Sequence, residues 1–192
     1  MWTTARNLTA VPAGPDDREV ARGRGCPRAG DTSGTVGAVC YAAGGASVRD
    51  VADDDALLAL IADAGTGILM TIKRNGRPQA SLVSHTLDVP TRTLRISVTE
   101  DRAKTRNLRR DPRASFMVTR PDGSAYAVGE GTAQLSVPAA ATDDATVDAL
   151  VDLYRAVQGE HPDWDEYRAA MVEQRRVVLT LPLDRVYGWG GI

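Results

Sequence analysis

The feature that most constrains the fold is the dipeptide Asn75-Gly76, which stands between two strand-like runs, residues 66–73 and 77–88. A type I′ turn needs positive φ at both central residues, and Asn-Gly is the pair that meets this need most readily. The two runs are therefore predicted to pair as an antiparallel hairpin. Because a single hairpin is at best marginally stable in water, further strands must complete the sheet.

Further strand-like runs occur throughout the rest of the chain and are separated by turn sequences and amphipathic segments. The predicted strands are residues 93–99, 113–119, 124–136, 175–182 and 184–189. The predicted helices are residues 51–64, 102–110, 142–159 and 163–174, with Thr142 as N-cap and Gly159 after the end of the third helix. Gly129 and Gly131 predict a bulge in the strand 124–136. Six or seven antiparallel strands with short turns and peripheral helices predict a small, mainly β barrel.

The chain changes character near residue 48. Residues 1–47 contain eight glycines and three prolines and have neither helical nor strand periodicity. Such a segment buries too little apolar surface to offset its ordering entropy. Residues 1–47 are therefore expected to be a disordered extension, or upstream sequence translated ahead of a natural start at Val48. Residues 48–192 are expected to form one domain.

Composition excludes several classes of function. The formal net charge is −2 and the pI is about 5.7, which argues against a general nucleic-acid binder. The sequence has no apolar run long enough to span a membrane and no secretory h-region, so we expect a cytoplasmic protein without membrane insertion. Cys26 and Cys40 are in no CxxC motif and have no histidine beside them, which favours free thiols and no metal site.

A basic segment interrupts this mildly acidic chain. Residues 99–116, TEDRAKTRNLRRDPRASF, contain six Arg or Lys in eighteen positions. A helix that begins near Arg102 offers free backbone N–H groups and the positive end of its dipole, and Lys104 stands in the same turn. This combination suits a phosphate or carboxylate. The alternative, a solvated helix with internal salt bridges, remains open at this point.

Four stretches, residues 67–81, 99–115, 124–135 and 149–188, resemble the pyridoxamine 5′-phosphate oxidase-like split β-barrel superfamily. Within it they look most like the F420-dependent flavin/deazaflavin oxidoreductases of type B from actinobacteria. The resemblance implies a six- to seven-stranded antiparallel split β-barrel, similar to FMN-binding proteins, with peripheral helices. It also implies a homodimer in which each cofactor lies in a groove at the interface.

The resemblance also implies which residues hold the cofactor. Arg102 and Lys104 match the cations that contact the phosphate, with backbone contacts around Ala103. The residues that match those flanking the ring system are Lys73, Gln79, Ser81, Ser97 and Tyr126. For Ser81, Ser97 and Tyr126 an ordinary structural role within a strand is the alternative. Leu82 stands where some relatives carry an amide near the ring, which places the substrate preference in question.

In such proteins the cofactor carries out the chemistry, and the protein supplies position and electrostatics. Coenzyme F420 is a 5-deazaflavin that moves a hydride, and its tail has a phosphodiester and a glutamate chain. Arg106 and Arg109 are candidate spare cations for that acidic tail, and the alternative is that both are only exposed surface residues. Tyr126 or a water molecule is the candidate proton donor, whereas His85 and His161 are expected to be structural or solvated.

Three functions are compatible with these observations. The first is an F420H2-dependent reductase of a small organic acceptor. The second is an FMN-dependent oxidase or reductase of the same fold, because both cofactors have a phosphorylated ribityl tail. The third is a non-catalytic protein that binds or carries F420.

Overall fold

The computed structural model describes residues 53–190, so the predictions for residues 1–47 lie outside the described part of the chain. The helices are α1 (Asp54–Asp63), α2 (Ala103–Arg110), α3 (Ala145–Gln158) and α4 (Trp164–Glu173). The strands are β1 (Thr66–Ile72), β2 (Pro78–Ser84), β3 (Thr86–Asp88), β4 (Thr93–Thr99), β5 (Arg113–Thr119), β6 (Ala125–Thr132), β7 (Gln134–Leu135), β8 (Arg176–Pro182) and β9 (Arg185–Gly190). Within residues 53–190 none of the helices is long and apolar enough to cross a membrane.

The strands form two antiparallel sheets. The five-stranded sheet has the order β2-β1-β5-β6-β9, and the four-stranded sheet has the order β3-β4-β8-β7. The predicted hairpin is present, with β1 and β2 paired from Thr66 opposite Ser84 to Ile72 opposite Pro78. The type I′ turn predicted for Asn75-Gly76 was wrong, because Gly76 has a φ of 80° but Asn75 has no positive φ. The Gly76 amide instead donates to the Lys73 carbonyl at 2.9 Å, so Arg74 and Asn75 are the central residues of the turn. The mainly β class with peripheral helices is confirmed. The described chain has nine strands because two of the predicted long strands each divide between the sheets.

The first division is at His85. β2 pairs with β1 in the five-stranded sheet, and β3 pairs with β4 in the four-stranded sheet. His85 lies between β2 and β3, is buried, and packs against the Phe116 ring with 4.5 Å between centroids. Its Nε2 donates to the carbonyl oxygen of Ile61, 2.8 Å away. His85 is thus structural, as expected, and it anchors the corner at which the chain leaves one sheet for the other.

The second division is at Ala133, between β6 and β7, and it corrects the predicted bulge. β6 keeps one register with β5 and with β9 throughout, so no extra residue is inserted at Gly129 or Gly131. Glycine is required at these two positions because other parts of the chain pass too close to leave room for a side chain. A Cβ on Gly131 would collide with the carbonyl oxygen of Pro182, and one on Gly129 would lie 2.8 Å from the Leu183 side chain.

The main core lies between the two sheets. Alternate residues of the strands point inward, among them Leu69, Ile96, Phe116 and Leu179, and α1 adds three apolar side chains. The residues of α1 in this core are Leu57, Leu58 and Ile61. The apolar stripe of α1 predicted from sequence is therefore what packs against the barrel.

A smaller core holds α3 and α4 against the four-stranded sheet. Leu150, Tyr167 and Met171 pack there with Val178 of β8. The predicted N-cap of α3 was wrong: Asp144, not Thr142, accepts the hydrogen bond from the Val147 amide at 2.8 Å. A carboxylate is the better cap here because it also accepts the amides of residues 140 and 141.

We predict that His85 makes the fold sensitive to acid. Burial lowers the pKa of His85 below its ordinary value of 6.5, although its hydrogen bond to Ile61 acts in the opposite direction. Protonation would add an N–H at Nδ1, which is buried without a partner among the described residues. Below pH 6.5 the histidine is therefore protonated more readily in the unfolded chain than in the folded one. The free energy of unfolding then falls as the pH falls, by at most about 1.4 kcal/mol per pH unit.

Urea unfolding of the wild type and of His85→Gln between pH 7.5 and 5 checks this prediction. Glutamine keeps an N–H donor and does not titrate, so the variant is expected to lose less stability with acid. Gln134→Asn, at an exposed position of β7 that does not titrate, is the control and keeps the wild-type slope. Equal slopes for the wild type and His85→Gln would contradict the assignment.

Candidate anion-binding site

The site begins where β4 ends and α2 starts. The carbonyl oxygen of Thr99 accepts two hydrogen bonds, one from the backbone N–H of Arg102 at 3.2 Å and one from the Thr105 hydroxyl at 2.8 Å. Thr105 is completely buried. These two bonds fix the direction of the first turn of α2 relative to the strand. The amino end of the helix is therefore a rigid feature of the four-stranded sheet.

The amino end of α2 differs from those of the two later helices. Asp144 caps α3 and Asp163 caps α4 through side-chain hydrogen bonds. At α2 the N-cap is Arg102, whose extended backbone precedes Ala103 and whose side chain makes no capping bond. The first N–H groups of a helix have no partner within it, and a cation beside them opposes the dipole. A bound anion would satisfy both.

Three cations meet at this position. Lys104 is half-buried, and its pKa is lowered mainly by burial and further by the positive charges of Arg102 and Arg176. Burial also lowers the pKa of Arg176. Among residues 53–190 no carboxylate forms an ion pair with Arg102, Lys104 or Arg176. The cluster is a concentration of positive charge without a counter-ion from the described chain.

Arg176 was not among the residues singled out from the sequence. It is the first residue of β8 and lies directly opposite Thr99 in the ladder between β4 and β8. Its Nη2 and Nε atoms donate to the Ser97 hydroxyl at 2.8 and 3.1 Å. Ser97, which the sequence did predict, therefore lies beside the cluster. The alternation of β8 puts residue 176 on the same face as Val178, which packs against α3 and α4, but only the pairing of β4 with β8 reveals its neighbours.

The remaining basic residues of the segment have partners. Arg109 forms a two-bond pair with Glu100, at 2.8 and 2.5 Å, so the prediction that Arg109 is a spare cation was wrong. Arg113 pairs with Asp111 and lowers the pKa of that carboxyl to about 2. The exposed Arg106 donates from Nη1 to the backbone carbonyl of Asp101. Arg110 likewise donates to a backbone carbonyl, that of Ile72. The basic segment is thus divided between arginines that bond carboxylates or carbonyls and one cluster without a counter-ion.

Asn107 connects α2 to the hairpin of the five-stranded sheet. Its buried Nδ2 donates to the Thr71 hydroxyl and to Oε1 of Gln79, both at 3.1 Å. Gln79 was predicted to flank the ring system, and the structure shows that its side-chain oxygen already accepts a hydrogen bond from α2. The sequence offered no sign of Asn107, because an amide within a helix is more often exposed than buried.

The other predicted residues belong to the five-stranded sheet or to the turn of its first hairpin. Lys73 follows β1 in the tight turn, where its N–H donates to the Arg77 carbonyl at 2.9 Å. Ser81 lies on the edge strand β2 opposite Leu69, and Tyr126 lies on β6 opposite Trp189. The structure therefore brings Ser97, Arg102, Ala103 and Lys104 together. It places Tyr126 on the other sheet.

Two surface pockets flank these positions. One of about 390 Å³ lies beside Arg102, between residues 99–102 and the turn 173–175. Another of about 670 Å³ lies on the five-stranded sheet and is lined in part by Met70, Ser115, Glu130 and Arg185. Neither pocket includes both Arg102 and Tyr126. A ligand that touches both residues would need more surface than either pocket offers.

We predict that Asn107 stabilises the position of α2. Asn107→Leu removes the donor from Thr71 and Gln79 and should lower the free energy of unfolding by about 1–3 kcal/mol, the cost of leaving buried polar groups unpaired. Urea unfolding monitored by circular dichroism measures this loss. Gln134→Leu at an exposed position of β7 is the control and should change stability by less than about 0.5 kcal/mol. Equal losses in both variants would contradict the prediction.

Comparison with known proteins identifies the family to which this fold belongs. The family model described as "Pyridoxamine 5′-phosphate oxidase" matches residues 53–190. A conserved hypothetical protein from Mycobacterium tuberculosis has a similar structure, with a TM-score of 0.57 and 21% identity over 74% of this chain and 88% of that one. A structure named F420 reductase matches with a TM-score of 0.51 and 22% identity over 67% of this chain and 93% of that one.

A FAD-binding protein from Mesorhizobium loti also shares the architecture, with a TM-score of 0.51 and 13% identity over 71% of this chain and 93% of that one. At such identities the structural likeness concerns the fold alone. The family match covers the whole of the described region and confirms the superfamily predicted from the sequence. The chain belongs to the pyridoxamine 5′-phosphate oxidase family.

Proposed function

We propose that this protein is an F420-dependent oxidoreductase that transfers a hydride between reduced F420 and a small organic acceptor. The observation that carries the proposal is the unpaired cation cluster at the uncapped start of α2. In this position a phosphate would accept hydrogen bonds from backbone N–H groups and from charged side chains. That one of the structures sharing the fold is named F420 reductase is in keeping with the proposal.

Each predicted residue has a place in this proposal. Arg102 and Lys104 neutralise the phosphate, and the N–H groups around Ala103 donate to its oxygens. The side chains of Lys73, Gln79 and Ser81 contact and orient the rest of the cofactor, and Ser97 lies beside the cations. When bound, F420 supplies the hydride chemistry, and the protein supplies binding, orientation and exclusion of water.

FMN is the second candidate cofactor, and a specific observation favours keeping it. The longer acidic tail of F420 would benefit from additional cations, but Arg109 and Arg113 are paired with Glu100 and Asp111. Only Arg106 of the predicted spare cations stays without a carboxylate partner among the described residues. The cation cluster itself suits the phosphate of either cofactor. The remaining alternative is a protein that binds F420 without catalysing a reaction.

We also propose that the protein acts as a homodimer with the cofactor at the interface. The outer face of the five-stranded sheet exposes three large apolar side chains: Leu82 is 74% exposed, Trp189 58% and Ile68 36%. Exposed apolar clusters on a sheet favour association. Tyr126 lies on the same strand pair as Trp189, so a second copy on this face would bring Tyr126 to the interface, where it is the proposed proton donor.

The function is tested by fluorescence titration of the full-length protein with F420 and, in parallel, with FMN. The proposal predicts micromolar or tighter binding of F420, weaker binding of FMN, and oxidation of F420H2 by at least one conjugated acceptor. Tighter binding of FMN would favour the flavin alternative. F420 binding without turnover of any acceptor would favour the carrier, and binding of neither cofactor would remove the proposal.

Lys104→Ala is expected to weaken F420 binding by about 1.5–3 kcal/mol, the range for a hydrogen bond to a charged group. The same titration measures the change. Arg95→Ala, which removes an exposed cation from the same strand, β4, as Ser97, is the matched control and should bind as the wild type does. Unchanged affinity in Lys104→Ala would exclude the start of α2 as the phosphate site.

The double variant Leu82→Glu/Trp189→Glu is expected to convert a dimer into a monomer, because two charges would be buried in the proposed interface. Light scattering after size-exclusion chromatography measures the mass. Val137→Glu is the control, since Val137 is as exposed as Leu82 but follows β7 of the four-stranded sheet. A wild-type monomer, or a double variant that remains dimeric, would contradict the proposal.

A further inference from the structure

Arg176 has an unusual set of partners for a half-buried arginine. Its guanidinium donates three hydrogen bonds, all to hydroxyls: two to Ser97 and one, from Nη1 at 3.3 Å, to Thr99. Several other arginines of the described chain pair with carboxylates, as Arg109 does with Glu100 and Arg168 with Asp148. A charge held away from water normally has a counter-ion. Within residues 53–190 Arg176 has none.

The hydrogen bonds to the two hydroxyls fix the orientation of the Arg176 guanidinium but do not neutralise its charge. An arginine side chain has five N–H donors in a fixed plane, and the three bonds to Ser97 and Thr99 leave two donors for another partner. A planar fork with free donors is the group best suited to a phosphate. Ser97 and Thr99 therefore position the Arg176 side chain so that its two remaining donors are available to an anion.

The same backbone fixes Arg176 beside the start of α2. Thr99 lies opposite Arg176 in the ladder, and its carbonyl oxygen accepts the hydrogen bonds from Arg102 and Thr105. One residue thus links the side chain of Arg176 to the first turn of the helix. The positive charges also act on one another, since those of Arg102 and Arg176 lower the pKa of Lys104.

We propose that Arg176 is a third cation of the anion site and binds the cofactor's phosphate directly, together with Arg102 and Lys104. This inference rests on the proposed function, and it adds a residue from β8, more than 70 positions after Lys104 in the sequence. The bound phosphate supplies the counter-ion that the described chain lacks. Ser97 is then a positioning residue for Arg176, which gives its hydroxyl a role at the phosphate and not at the ring.

The test compares ligands with and without the phosphate. Full-length wild type and Arg176→Gln are titrated with F420 and with the deazaflavin chromophore that lacks the phosphate tail, and likewise with FMN and riboflavin. Arg176→Gln is expected to weaken binding of the phosphorylated ligands by about ten- to a hundredfold and to leave binding of the tail-free ligands unchanged. Arg176→Lys keeps the charge but loses the planar fork, so an intermediate loss is expected.

Controls separate a binding role from a structural one. Arg95→Gln removes a positive charge from the same sheet and should bind all four ligands as the wild type does. If Arg176→Gln does not fold by circular dichroism, Ser97→Ala replaces it, with a smaller loss confined to the phosphorylated ligands. Equal losses for phosphorylated and tail-free ligands, or wild-type affinity in Arg176→Gln while Lys104→Ala binds weakly, would overturn the inference and leave the proposed function intact.

If the wild type binds no cofactor, the proposed function fails and inorganic phosphate becomes the probe. The inference then predicts that phosphate raises the melting temperature of the wild type relative to chloride at equal ionic strength, and that Arg176→Gln abolishes the rise. No rise in the wild type, or the same rise in Arg176→Gln, would overturn it.

Discussion

The candidate site depends on one backbone group, the carbonyl oxygen of Thr99. By accepting from both Arg102 and Thr105 it joins the end of β4 to the first turn of α2. The strand ladder then places Arg176 opposite the same residue. Arg102 and Lys104 are thereby held beside Arg176, which is distant from them in sequence, and the three cations repel one another. The folded protein tolerates this arrangement at a cost in electrostatic energy, and an anion bound there would recover it.

The two sheets of the barrel present different chemistry. The four-stranded sheet carries the cations and hydroxyls around α2, whereas the five-stranded sheet carries an exposed apolar face with Leu82 and Trp189. Asn107 connects them, because it ties α2 to Thr71 and Gln79 of the hairpin. In the proposed enzyme the four-stranded sheet binds the cofactor's tail. The five-stranded sheet forms the dimer interface and contributes Tyr126. The division accounts for why neither described pocket contains all the predicted residues.

Local chemistry was sufficient to predict much of the fold. The hairpin at Asn75-Gly76, the strands β1, β4 and β8 and the basic start of α2 are properties of neighbouring residues, and each was found where the sequence placed it. The turn type of the hairpin was not, because only Gly76 of that pair has positive φ. The corners at His85 and Ala133 were missed, because a strand that changes sheets keeps its alternation while its partner changes. Arg176 and the pairing of Arg109 with Glu100 were missed for a related reason. The sequence around a basic residue does not indicate whether its neighbour in the folded protein is a carboxylate or a hydroxyl.

The central claim is that the start of α2 holds the phosphate of a flavin-type cofactor. Nitrogen–hydrogen correlation NMR of the full-length protein during titration with F420 and with FMN tests it most directly. The account predicts that the backbone amides of Ala103, Lys104 and Thr105 and the side chain of Arg176 shift most for whichever ligand binds, and that Arg113 and Arg185 shift less. Binding with unshifted amides at residues 103–105, and the largest changes around Arg113 and Arg185, would contradict it.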